Sequence, residues 1–122
     1  MKRRFRITRS IDFKRVRRFG KSYAHPLIVL VSMSGEFEYS RAGFITGKSI
    51  GKAVQRNRVK RQLKAIFSNL IPFFLTHSDV LVIAREPIRN VPFDEIKSAV
   101  CQLLIKANLI NPDDYDTRRS AS

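Results

Sequence analysis

The sequence predicts an α/β sandwich of the α+β kind, with helices packed on a small mixed sheet in the order helix, strand, strand, helix, strand, helix. Three observations predict it. Short apolar, β-branched runs occupy residues 27–33 and 79–85; residues 52–70 and those beyond Pro92 repeat their apolar side chains at helical spacing; and 43% hydrophobic with 10% aromatic residues suffices for one modest core in 122 residues.

In chain order, Ser10 is placed to cap a helix over residues 11–19, with Asp12 near its positive end and Gly20 available as a left-handed stop. Phe13 and Val16 then share a face. Residues 27–33 follow Pro26 and read as a strand apolar on both faces, and therefore central. Residues 36–40 are a connecting turn, and residues 41–46 a second strand adjoining the first in antiparallel fashion. Over residues 52–70, Val59, Leu63, Ile66, Phe67 and Leu70 fall on one helical stripe, while Asn57, Lys60, Arg61 and Lys64 fall on another side. Arg56 projects close to the apolar stripe, so its stem packs over the core edge or its charge reaches outward. Residues 79–85 form a third strand, and Pro92, Asp94 and Glu95 open a last helix with the stripe Ile96, Val100, Leu103, Leu104 and Ala107. Residues 1–109 are expected to form a single domain, and residues 110–122, with Asp113, Asp114 and Asp116, a polar, loosely ordered tail.

The charge is the strongest functional signal. Against 10 acids stand 24 Lys and Arg, a formal net charge of +14, which repels itself in a compact monomer unless a polyanion offsets it. Seventeen of the 24 cations lie within residues 1–21 and 48–64, accompanied there by one acid, Asp12, so they describe binding faces rather than general solubilisation. Basicity alone does not separate RNA from DNA. Cys101 is the lone cysteine, which excludes an intrachain disulfide and fits a reducing cytoplasm. No apolar run has the length of a signal peptide or membrane span. Neither His25 nor His77 pairs with Cys101 or a carboxylate at a metal-ligand or acid/base spacing, so no protein-borne active site and no metal site are expected.

The most informative stretch is residues 43–64, GFITGKSIGKAVQRNRVKRQLK, where a strand feeds a basic helix through a glycine-bearing loop. Gly47 and Gly51 permit tight turns or close approach to phosphate, and the helix N-terminus adds positive potential. Arg56, Arg58 and Arg61 supply planar forks suited to phosphate or a guanine edge, and Asn57 supplies an amide. AVQRNRVKRQLK resembles the RNR signature of the bacterial ribonuclease P protein family. The preceding GFITGKSIGK, the early DFKRV with Gly20, the apolar strand, DVLVIAR and FDEIK are similar in order and spacing, so the resemblance runs over roughly residues 5–109.

The resemblance implies a protein that binds a catalytic RNA subunit and helps it remove the 5′ leader of precursor tRNA by hydrolysis, with Mg2+ acting alongside the RNA. It implies RNA contacts by Arg56, Asn57, Arg58, Lys60 and Arg61, supported by Lys48, Lys52 and Lys64. It also implies a leader-binding cleft at Phe13 and Val16, together with Arg17 and Val31, and a left-handed β-α-β crossover against the usual rule. Arg17 and Val31 stand where the family carries further aromatics, and Phe19 lies on another side of the helix. Without the resemblance, Phe13 and Val16 read as core residues. A ribosomal-type RNA-binding protein is the alternative function; a DNA-binding helix-turn-helix is disfavoured because a strand and glycine loop precede the basic helix. No membrane and no DNA partner is expected.

Overall fold

The computed structural model describes residues 1–113, so Asp114 and Asp116 of the expected tail lie outside the described residues. Leu109 and Ile110 are buried, and the packed chain therefore reaches Ile110. The elements are α1 (Ser10–Phe19), β1 (Lys21–Ala24), β2 (Ile28–Ser34), β3 (Arg41–Ile45), α2 (Ala53–Leu70), β4 (Ser78–Ala84) and α3 (Phe93–Lys106).

The four strands form one mixed sheet in the order β1-β2-β4-β3. The expected antiparallel pairing of residues 41–46 with the first apolar strand is corrected here. β4 inserts between them, antiparallel to β2 and parallel to β3. The reason lies in burial: β4 is buried along nearly its whole length on both faces and β2 over much of its own, so these two strands take the centre. β3 can then pair in parallel with β4 because the long connection through α2 returns the chain to the same end of the sheet.

β1 was not anticipated, because KSYA is short, polar and mostly exposed, as edge strands often are. It pairs antiparallel with β2 in the register Lys21↔Ser32 to Ala24↔Val29. The opposite edge is covered by the N-terminal segment: Arg6 bridges Ala42 of β3 in parallel, and the Ile7 N–H donates to the Ala42 carbonyl at 2.9 Å.

At α1, two cap expectations are revised. Ser10 is the first helical residue and Arg9 holds the cap position without a side-chain hydrogen bond. Gly20 has φ −77° and is extended, not left-handed. Its lack of a side chain serves close approach, since a Cβ there would stand 2.6 Å from both the Val16 carbonyl oxygen and Val31 Cγ1.

The two sheet faces carry different loads. On one face, Ile28, Leu30, Ala42, Phe44, Val80 and Val82 pack with the stripes of α2 (Val59, Leu63, Ile66, Phe67, Leu70) and α3 (Ile96, Val100, Leu103, Leu104) as the main core, with Ala107 partly buried against it. Cys101 is buried in the same core. The other face is arranged in three cross-strand rows. Val31, Leu81 and Gly43 form the middle row, which lies under α1 through Phe13 and Val16. Met33, Asp79 and Arg41 form a second row at one end of the sheet. Ala24, Val29, Ile83 and Ile45 form the third, of which the last three are only partly buried.

Candidate nucleic-acid interface

The start of α2 is set by Gly51, whose φ of 132° is open to glycine and whose missing Cβ leaves room for the Gln55 side chain. Gln55 Oε1 accepts the Lys52 N–H at 2.7 Å, satisfying one of the free donors at the helix N-terminus. Gly47 has no atom within 4 Å of a would-be Cβ, so the expected tight constraint acts at Gly51 and not at Gly47.

From this start the helix carries its cations on three flanks and no acid at all. Arg56, Lys60 and Lys64 follow at i, i+4 spacing along one edge of the buried stripe and are half-buried, so Arg56 does stand beside the core edge. Asn57 and Arg61 point outward and are exposed. Arg58, on the opposite flank, is exposed and its Nη2 reaches the Arg89 carbonyl at 3.5 Å. Lys48 and Lys52 are exposed in the loop before the helix.

Around the edge of β3, α1 and α2 meet. Phe13, Phe44, Arg6, Thr8, Lys60 and Lys64 line one cleft of about 220 Å3. Burial pushes the Lys64 amine below its ordinary value, and the neighbouring charges of Arg6 and Lys60 push it the same way. Arg6 Nε is buried without a hydrogen-bond partner. The site is thus a concentration of positive charge with unused donor capacity, which favours an anion.

The four residues expected to line a leader cleft separate into two pairs. Val16 is 0% and Val31 2% exposed; Val16, on the buried side of α1, and Val31 of β2 belong to one packed cluster and act as support. Phe13 is half-buried, with its ring against Gly43, where a Cβ would meet Phe13 Cε1 at 2.7 Å. Arg17 is exposed on the flank of α1 opposite Asp12 and Arg15. Asp12 and Arg15 point to the Met33–Asp79–Arg41 row, so Arg17 stands on the side of α1 away from that row. Phe19 is 68% exposed, with the Arg18 guanidinium 5.3 Å from its ring centre, and is not part of this lining.

Other relevant groups carry little or no sequence signal. Arg6 joins Lys60 and Lys64, and Arg89 with Asn90 shares a polar recess with Arg58 and Gln55. Arg6 lies inside a visible basic run; Arg89 stands alone and offers no signal. Arg15, counted among the binding cations, is instead engaged with Asp79 at 3.0 Å and Glu36 at 2.9 Å. Among the described residues no group of three or more His, Cys, Asp or Glu is placed to hold a metal ion, and no helix is long and apolar enough to cross a membrane.

Fold and site together define a small α+β protein that offers a polyanion an acid-free basic helix and an aromatic, cationic cleft. A family model described as Ribonuclease P matches residues 1–108. The chain is 35% identical over 117 residues to the ribonuclease P protein component of Chloroflexus aggregans, covering 95% of this chain and 87% of that one. It is 37% identical over 111 residues to that of Oceanobacillus iheyensis, covering 90% and 92%. Its fold is similar to that of the Staphylococcus aureus RNase P protein, with a TM-score of 0.82 at 29% identity over 88% of this chain and 98% of that chain. The Thermotoga maritima RNase P protein gives 0.74 at 27% identity, covering 81% and 94%. The chain belongs to the ribonuclease P protein family. It is the accessory protein subunit of a ribonucleoprotein endoribonuclease and partners the ribonuclease P RNA; the ribosomal-type alternative is not favoured.

Proposed function

We propose that this subunit holds the single-stranded 5′ leader of precursor tRNA beside α1 while the outer face of α2 lies on the catalytic RNA. One observation supports this most: Phe13 of α1 and Lys60 and Lys64 of α2 line a single cleft, so the two nucleic-acid surfaces are continuous. Arg56, Asn57, Arg58 and Arg61, with Lys48 and Lys52, meet the folded RNA through phosphates and base edges. Phe13 and Arg17, with the half-open row of Val29, Ile83 and Ile45, take the leader by apolar contact and charge without reading its sequence. Val16 and Val31 hold that surface in place from below.

The hydrolytic chemistry belongs to the RNA subunit and the Mg2+ that acts with it. The protein contributes cations that relieve phosphate repulsion where RNA and substrate meet. A cytoplasmic setting, where precursor tRNA is made in bacteria, fits this role. The test is reconstitution with the cognate RNA and a precursor tRNA near physiological magnesium, with product size as readout. Leader removal should be faster with protein than without it, and the gain should shrink for a precursor whose leader is cut to one nucleotide. Equal gains for both substrates would refute leader gripping.

A further inference from the structure

Beyond Lys64 along α2, the N-terminal segment closes a second cavity, of about 590 Å3. That volume lies in the range of sites that enclose small organic ligands. We propose that this cavity receives an unpaired base of an RNA strand running along the N-terminal segment. It takes RNA binding from the family and adds a site outside both surfaces of the proposed function.

The lining is mainly apolar, with Phe5, Tyr39 and Phe74 as aromatic walls beside Ile71. Phe5 meets Tyr39 edge to face at 5.7 Å, and Tyr39 stacks on Phe37 at 5.3 Å with the planes 21° apart, so the wall is braced by its neighbours. The Arg4 guanidinium lies 4.8 Å from the Phe5 ring centre and 5.9 Å from that of Tyr39, and Lys2 also lines the opening. An aromatic wall with a guanidinium beside it grips a nucleotide by stacking the base and pairing the phosphate.

Charge supplies the path to the cavity. Lys2, Arg4 and Arg6 belong to one segment, and Arg6 already shares the cleft of Lys60 and Lys64. A strand leaving that cleft therefore meets cations up to the second opening. Glu38 is the one carboxylate in the lining. It repels a phosphate and accepts from a base amino group, so the base enters amino edge first with its phosphate outside, at Lys2 and Arg4. Tyr39, Ser40, Ser68 and His77 add further hydrogen-bonding groups to the lining.

The experiment uses the full chain and a short single-stranded oligoribonucleotide containing 2-aminopurine. Binding should quench the 2-aminopurine and shift the backbone amide resonances of Tyr39, Ser68 and His77. Ser68→Trp, which fills the cavity from an exposed position, should weaken single-strand binding by about ten-fold, within the range for one stacked base. Its affinity for blunt duplex RNA should stay at the parental value. Unmoved amides at saturation, or parental single-strand affinity in a folded Ser68→Trp variant, would overturn the proposal. The amide shifts decide the matter should that variant fail to fold. A Lys60→Ala, Lys64→Ala double variant reports separately on the first cleft: its loss of leader binding, with the Ser68 amide of the parental protein unmoved by the oligonucleotide, would leave the proposed function standing and remove only the second site.

Discussion

Asp79, the second residue of β4, has 0% of its side chain exposed and holds two arginines from distant parts of the chain. Arg41 donates from Nε to Oδ1 at 3.0 Å and from Nη2 to Oδ2 at 2.8 Å, and Arg15 of α1 donates to Oδ2 at 3.0 Å. The hydrogen bond from Arg41 to Asp79 raises the guanidinium pKa despite burial, so this cation stays charged. Removing it leaves the buried carboxylate without its two-point partner and with Arg15 on Oδ2. Arg41→Ala should therefore lower stability by about 3 kcal/mol in urea unfolding, whereas a change no larger than that of an exposed pair, about 1 kcal/mol, would mean that Arg15 alone suffices to hold Asp79. Gly43→Ala tests the other side of α1. The added methyl must displace the Phe13 ring, at an expected cost of about 1–3 kcal/mol. It should also reduce discrimination between precursor and mature tRNA in a binding competition. Unchanged discrimination in the folded variant would separate Phe13 from the leader.

For the helices, the contrast between α1 and α2 shows how one charge pattern serves two ends. α1 commits Asp12 and Arg15 to the ion-pair group that ties it to β3 and β4, and leaves Lys14, Arg17 and Arg18 exposed. α2 carries no acid, so its cations on Asn57's side of the helix lack intrahelical partners. Arg58→Ala and Arg61→Ala should each weaken binding to the ribonuclease P RNA. Each should also flatten the plot of log affinity against log salt by about one unit for every phosphate left without its cation. Slopes that match the parent would take these arginines off the RNA. Neither change should lower thermal stability by more than about 0.5 kcal/mol, because both side chains are exposed.

Across the whole molecule, a formal charge of +14 on a single small core sets folding and binding against each other in salt. Added salt screens self-repulsion in the free protein and competes with phosphate in the complex. The melting temperature of the isolated subunit should rise between low and moderate ionic strength while its RNA affinity falls. A melting temperature indifferent to salt would show that the ion pairs around Asp79 already neutralise the repulsion that matters for folding.

The helix faces, the apolar strands and the basic helix with its glycine entry were legible in the sequence, because each depends on residues within one or two turns or one strand, and the family resemblance was legible from the order and spacing of those segments. The buried stripe of α2 from Val59 to Leu70 follows from spacing alone. Strand order did not, since residues 41–46 could pair with either apolar strand and the choice fell to whichever arrangement buried both faces of β4. β1 was too short and polar to stand out. Only the tertiary structure decided which cations are engaged internally and which face outward, because Arg15 and Asp79 are 64 positions apart and Arg41 and Asp79 are 38. It alone joined Arg6 and Phe13 to Lys60 and Lys64, for a cleft between two helices and a strand edge is made by chain reversal, which no local pattern encodes.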